Sequence, residues 1–335
     1  MTPRVVVTWP GFELDDPKTG GLLREAGFEI VLAPRHSART AEEVRGLIED
    51  ADAAIASTDP FDASVFAGAP RLRVIARTGV GTDSIDIDAA TAAGVVVTTT
   101  PGANEETVAD HTLALILAAV RRVVEHDASV RRGEWNRAGA LTPWHLHGLV
   151  VGIVGYGTIG RAVGRRLAGF GVEVLVCDPA LPPATNVDLD ELLSRSDVVS
   201  IHTPLTEQTT SLIGERELGL MRPEAVLVNT SRGGLIDEAS LYDALAGGRL
   251  RAAGLDVFET EPPMSSDLLT LPNVVLSPHI AGLGTGSIDE MLSRATRSVI
   301  EVLSGGSPDG VVNPEAFARR RERDGGAAAI DREAS

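Results

Sequence analysis

The chain has 335 residues, 43% of them hydrophobic, 23% charged and 4% aromatic, which excludes a mainly disordered or fibrous protein and leaves one large or two medium domains. Its 47 acidic against 30 basic residues give a formal charge of −17, so most of the surface repels a polyanion such as DNA. The single cysteine, Cys177, rules out a scaffold built on internal disulfides.

The chain opens with one short apolar run, Val5–Val7, before Asp15 and Asp16, without the long apolar centre of a signal peptide. Its longest apolar stretch, Leu113–Val120, is far below a membrane span. A soluble cytoplasmic protein that binds neither membrane nor nucleic acid is expected. Short β-branched runs at Val5–Thr8, Glu29–Leu32, Ala53–Ser57, Leu72–Ala76 and Val95–Thr98 read as buried strands. Helical patterns at Leu22–Ala26, Thr40–Glu49 and Ile85–Ala93 lie between them. That alternation predicts a parallel sheet covered on both faces.

A long helix should start at Asn104, a good N-cap followed by Glu105 and Glu106 in the first turn. Its apolar stripe continues through Val108, Leu113, Ile116, Leu117, Val120 and Val124. Arg131–Leu149, with Gly133, Gly139 and Pro143, reads as an irregular connector. A second alternating series follows. Its strands are expected at Val150–Val154, Val172–Cys177, Val198–Ile201, Ala225–Asn229, Ala252–Leu255 and Val274–Leu276. Its helices include Ile159–Ala168, Leu189–Ser194 and Glu238–Ala246. A helical pattern from Ser287 to Leu303 comes last, and the tail from Arg319 to Ser335 reads as solvated and disordered.

Gly155-Tyr156-Gly157-Thr158-Ile159-Gly160 is a GxGxxG placed between a strand and a helix, with Asp178 at the end of the next strand. A GxGxxG alone is as readily a tight turn, but strand, turn, helix and acid together form the dinucleotide-binding layout. Gly155 allows the turn, Gly157 lets backbone approach a pyrophosphate, and Gly160 lets helix and strand pack closely. The helix N-terminus offers N–H groups to phosphate. Asp178 can accept from ribose hydroxyls and repels a 2′-phosphate, which favours NAD over NADP.

Three later strand ends carry Asn229–Gly234, Asp256–Pro262 and Ser277–Gly282. Ligands of open α/β sheets bind outside the carboxyl ends of strands, so Arg232, an acid and His279 can converge there. A His can move the hydroxyl proton during hydride transfer. A carboxylate fixes its tautomer, and a guanidinium grips a carboxylate with two bonds. Glu259 competes with Glu261 for the His, and the Glu-Pro pairing favours Glu261. The histidines His36, His111, His126, His145, His147 and His202 lack the spacing of a metal site, and no metal is expected. His111 reads as a packed helix residue and Cys177 as a small core residue.

These segments, with Arg77–Asp83, Asn104, Thr107–Thr112 and His202–Thr206, resemble the D-isomer-specific 2-hydroxyacid dehydrogenases, the family of D-3-phosphoglycerate dehydrogenase and glyoxylate/hydroxypyruvate reductase. The resemblance runs from about Leu72 to Asn313; the first seventy residues match only in pattern. It implies an α/β fold of two doubly wound parallel-sheet domains. A Rossmann NAD-binding domain, residues 104–282, would be inserted into a flavodoxin-like substrate domain of residues 1–103 and 283–318. It implies Arg232, Glu261 and His279 as catalytic residues. Gly155, Gly157, Thr158, Ile159, Gly160, Asp178, Thr203, Thr230, Ser231, Asp256 and Thr107 would meet the cofactor. Val80, Gly81, Arg232, Ser57 and Arg77 would meet the substrate. Asp110 stands where the family often has Glu. The family is typically dimeric through the region Arg121–Leu149; some related reductases send a Trp from this loop, where Trp144 stands here, into the partner's active site, although Trp144 reads first as a buried anchor.

The implied activity is hydride transfer between NAD(H) and a D-2-hydroxy acid or 2-keto acid. Phosphoglycerate, hydroxypyruvate, glyoxylate and bulkier keto acids all remain open. The loops Trp9–Phe12 and Ser57–Pro60 offer no Lys or Arg for a phosphate, which points to a non-phosphorylated acid. The alternative is an NAD-sensing binding protein like the corepressors built on the same fold.

Overall fold

The computed structural model describes residues 2–35, 38–135, 137, 139 and 142–320. The expected tail residues 321–335 and His36 lie outside them. In chain order the elements are β1 (Arg4–Val7), α1 (Gly20–Glu25), β2 (Glu29–Leu32), α2 (Ala41–Ile48), β3 (Ala53–Ala56), α3 (Ala63–Ala67), β4 (Val74–Arg77), α4 (Ile87–Ala92), β5 (Val96–Thr98), α5 (Glu105–Arg121) and α6 (Val123–Arg131). There follow β6 (Val150–Val154), α7 (Thr158–Leu167), β7 (Glu173–Cys177), α8 (Leu189–Arg195), β8 (Val198–Ile201), α9 (Glu215–Leu220), β9 (Val226–Asn229), α10 (Glu238–Ala246), β10 (Ala252–Leu255), β11 (Val274–Leu276) and α11 (Thr285–Leu303).

The chain divides into two units. One is Met1–Asn104 with the chain from Thr285 onward, the other Glu105–Gly284. The first holds a five-stranded sheet in the order β2-β1-β3-β4-β5, all parallel. Alternate side chains of a strand face opposite ways. Val6, Ala54 and Ile75 therefore pack under α2, α3 and α4, while Val5, Val7, Ile55 and Val74 pack under α11 through Leu292, Ala295 and Val299. A Thr40–Glu43 capping box starts α2.

The second unit holds a six-stranded parallel sheet in the order β11-β10-β9-β8-β6-β7. Here α5 and α7 cover Val151, Ile153 and Val198, while α8, α9 and α10 cover Val199, Ile201 and Leu227. β6 has β7 on one side and β8 on the other, so the strand order reverses at the end of β6. A ligand crevice opens at such a point.

Two expectations are corrected. The long helix breaks at Arg122, which takes the left-handed conformation at φ 51. An Arg122–Glu125 ion pair of 2.7 Å, with side chains only 14% and 11% exposed, holds that corner. α6 then runs to Arg131, where the expected connector begins. Arg320 is not part of a solvated tail: residues 316–320 are helical, and while Arg319 is exposed, Arg320 is buried. Its backbone packs so closely on Gly94 that a Cβ there would lie 3.1 Å from it.

Candidate active site

The strand registers of the second unit bring the motifs together. Val154 pairs with Cys177 and with Ile201, so the turn after β6 lies beside Asp178 on one side and His202 on the other. Gly155 has φ +88, and a Cβ there would lie 2.7 Å from the His202 carbonyl. A Cβ on Gly160 would lie 2.2 Å from the Gly155 oxygen. Both positions require glycine for packing. Gly157 differs. It is exposed, its φ is −69, and a Cβ there would meet nothing within 4 Å. Its lack of a side chain keeps open the space before α7, a ten-residue helix that starts with no side-chain cap. Thr158 and Ile159 form its first turn. This open cradle at an uncapped helix N-terminus fits a dinucleotide's phosphates.

Asp178 is half-buried and braces the glycine turn: Oδ2 accepts the Tyr156 N–H at 2.6 Å, and Oδ1 accepts the Ala180 N–H at 2.8 Å. Burial, with the Asp188 and Asp178 charges, pushes the neighbouring Cys177 thiol up, which suits an unreactive packed residue. His202 behind the turn bonds Ser200 Oγ at 2.9 Å, and burial pushes its imidazole down to about 4.

The ends of β9, β10 and β11 lie side by side through the pairs Leu255–Asn229 and Leu255–Leu276. At β9, Ser231 Oγ donates to the Thr203 carbonyl at 2.7 Å, and Thr230 Oγ1 lies 2.9 Å from Thr112 Oγ1 on α5. Thr107 is half-exposed near the start of that helix. Asn229 Nδ2 donates to the Arg232 carbonyl at 2.8 Å, and Arg232 Nη1 donates to the Ser231 carbonyl at 2.7 Å. The Arg232 guanidinium is half-exposed at the end of the sheet.

Asp256 has no exposed surface. Its carboxylate accepts Ser277 Oγ–H at 2.6 Å, Ile280 N–H at 2.9 Å and Ala281 N–H at 2.8 Å. Burial raises its carboxyl, but hydrogen bonds from His111, Ser277, Ile280 and Ala281 outweigh this and hold it below the usual range. The Asp256 carbonyl accepts the His279 N–H at 2.8 Å. His279 itself has φ 53, a conformation uncommon outside glycine, so Asp256 grips a strained turn from three sides.

His279 Nδ1 lies 2.7 Å from Glu261 Oε2, with both side chains about one-third exposed, at 36% and 35%. Glu261 Oε1 accepts the Phe258 N–H at 3.2 Å. Glu259 is engaged elsewhere, exchanging backbone bonds with Glu238 at the start of α10. Among the described residues no cluster of His, Cys, Asp and Glu could hold a metal ion.

The remaining expected residues belong to the first unit. Val80 and Gly81 follow β4; Val80 is 42% exposed, and among the described residues their N–H groups find no acceptor. Ser57 is half-buried at the end of β3. Arg77 is buried, with Nη1 donating to the Thr78 carbonyl at 3.3 Å. The Ser57–Pro60 loop, which has no Lys or Arg of its own, meets a basic group from elsewhere in the first unit. Arg39, from the segment after β2, pairs with Asp59 at 2.6 Å, both side chains under a tenth exposed at 6% and 7%. Thr8 Oγ1 donates to the other Asp59 oxygen at 2.5 Å, so both loop charges are satisfied internally.

Residues 113–281 match the profile described as D-isomer specific 2-hydroxyacid dehydrogenase, NAD binding domain. A glyoxylate reductase of Korarchaeum cryptofilum is 42% identical over 332 residues, covering 94% of this chain and 97% of that protein. The chain belongs to the D-isomer specific 2-hydroxyacid dehydrogenase family. It is an NAD-binding oxidoreductase by that membership. A D-3-phosphoglycerate dehydrogenase of Mycobacterium bovis is also 42% identical, over 289 residues, but the chain spans only 54% of that protein's length. Among solved structures, the TT0316 protein of Thermus thermophilus superposes with a TM-score of 0.84 at 40% identity, covering 92% of this chain and 99% of that one.

Sequence reasoning missed His111 as part of the site. Its Nε2 lies 2.8 Å from Ser277 Oγ and 3.4 Å from Asp256 Oδ1. Trp144 packs within its own unit, its ring stacked under Arg251 at 4.3 Å and its backbone N–H bonded to the Val120 carbonyl.

Proposed function

We propose that the protein is an NAD-dependent reductase of a small, non-phosphorylated 2-keto acid, giving the D-2-hydroxy acid, with glyoxylate or hydroxypyruvate as the substrate class. The observation that carries this reading is the 2.7 Å contact between His279 Nδ1 and Glu261 Oε2. With Nδ1 held by a carboxylate, Nε2 is the nitrogen left to give a proton to the substrate oxygen. The Arg232 guanidinium holds the substrate carboxylate. Bound NADH supplies the hydride. Asp256 keeps the His279 turn in place while the proton moves, and Asp178 favours NAD over NADP.

Two further observations support the choice of substrate. The glyoxylate reductase relative is matched over nearly its whole length and the phosphoglycerate dehydrogenase over about half. The arginine that reaches the Ser57–Pro60 loop is neutralised by Asp59. We also place a homodimer contact on α6 and the segment after it, where Val123, Val124, Val130 and Trp135 are 53%, 46%, 54% and 76% exposed. In this reading the Glu105–Gly284 unit binds NAD and carries Arg232, Glu261 and His279.

The test is a panel of 2-keto acids with NADH, followed by loss of NADH absorbance. Turnover of glyoxylate and hydroxypyruvate is expected, with NADPH and 3-phosphohydroxypyruvate poorer. An enzyme inert on the whole panel would leave a binding protein that senses NAD.

A further inference from the structure

The second histidine near the catalytic turn has a proton count that fixes its role. Asp256 is buried and ionised, so it can only accept hydrogen bonds. Ser277 has one hydroxyl hydrogen, and at 2.6 Å it goes to Asp256 Oδ1. Ser277 Oγ can then only accept from the atom 2.8 Å away, His111 Nε2. His111 therefore carries a proton on Nε2. The opposite tautomer would aim a lone pair at Ser277 Oγ and at Asp256 Oδ1, 3.4 Å off, and turn the Ser277 proton away from the carboxylate.

We infer that His111 is a positioning residue: it donates from Nε2 to Ser277 Oγ, and so directs the Ser277 proton onto the Asp256 carboxylate that holds the His279 turn. The inference rests on the proposed role of His279 for its catalytic consequence, but not for its structural one. The Asp256 oxygens hold the N–H groups of Ile280 and Ala281, and the Asp256 carbonyl holds that of His279. A carboxylate that lost its Ser277 donor would be buried with one bond fewer, and the left-handed turn at His279 would lose part of its restraint. The helix carrying His111 is well anchored for this. α5 packs on β9 and β10 through Leu115 and Ile116, and the next residue, Thr112, gives its hydroxyl to the Val108 carbonyl at 2.8 Å and so accepts from Thr230. One helix thus steadies both Thr230 and Asp256 through adjacent side chains.

The test compares His111→Phe, which keeps a ring but no donor, with His111→Gln, which keeps a donor, and with Ser277→Ala and the His111→Phe/Ser277→Ala pair. Amide hydrogen exchange at Ile280 and Ala281 is read on the protein without substrate. It is expected to speed by about tenfold in His111→Phe and Ser277→Ala, the scale of one hydrogen bond to a charged group, with α2 unchanged. The same variants should lose about tenfold in kcat for glyoxylate reduction, with the Kd for NADH within about twofold. His111→Gln should recover most of both effects, and the pair should be no worse than either single change, because the residues act as one relay. Unaltered exchange at Ile280 and Ala281 in His111→Phe overturns the inference, as does a Gln variant as impaired as Phe or a pair whose losses multiply. If His111→Phe does not fold, Ser277→Ala carries the same exchange test. A wild-type protein inert on every 2-keto acid sinks the proposed activity alone, since the exchange measurement still decides the relay.

Discussion

Asp178 Oδ2 accepts the Tyr156 N–H at 2.6 Å, so the acid proposed to select the cofactor also braces the glycine turn. Asp178→Ala should therefore do two things. The preference for NADH over NADPH should relax by about tenfold, because the carboxylate that repels a 2′-phosphate is gone. NADH itself should bind more weakly, because the Tyr156 N–H loses its acceptor. Fluorescence titration with both cofactors checks this, and an unchanged ratio would contradict it.

The two glycines of the motif separate folding from binding. A Cβ on Gly157 enters open space at an ordinary φ, whereas a Cβ on Gly160 would lie 2.2 Å from the Gly155 oxygen. Gly157→Ala should leave thermal stability within about 1 kcal/mol of wild type and abolish NADH binding. Gly160→Ala should lower the melting temperature. A Gly157→Ala protein that binds NADH normally would remove the cradle from the account.

Acid sensitivity has a defined window. The folded His202 imidazole sits at about 4 against an ordinary 6.5, so the unfolded chain takes up its proton first. The stability contributed by the neutral ring is complete above 6.5 and is lost as pH falls toward about 4. Asp256 is also lowered, so its contribution is present above the ordinary carboxylate range and disappears only below it. Urea midpoints should fall between neutrality and about pH 5 in the wild type and less steeply in His202→Asn. Equal slopes would rule out His202 as the source.

Arg232→Lys keeps the charge but not the planar fork. It should cost on the order of a hundredfold in kcat/KM for a 2-keto acid with NADH affinity unaltered. Steady-state kinetics settle it, and a mild loss would mean that another group holds the carboxylate.

Both sheets were legible because their strands are short β-branched runs between helical patterns, and the glycine turn because strand, turn, helix and acid agree. Glu261 was legible against Glu259 only through its proline; the structure adds that Glu259 is taken by Glu238. The break at Arg122 was hidden, since the apolar stripe continues through Val123 and Val124, two residues that end up exposed. The helix breaks where Arg122 turns left-handed beside the Arg122–Glu125 ion pair, and neither leaves a periodic signal. His111 was read as helix packing because Ser277 is 166 residues away in sequence. Arg39 was missed because nothing local shows that a loop arginine turns back onto Asp59, and Arg320 because its burial depends on the distant Gly94.

The central claim is that His279 gives the proton and Glu261 orients it. The direct measurement is the turnover of glyoxylate with NADH by His279→Gln, alongside the Kd for NADH. A fall in kcat of about a hundredfold or more, the scale of general acid–base catalysis, is predicted, with the Kd within about twofold. A His279→Gln enzyme that keeps its rate would contradict the assignment.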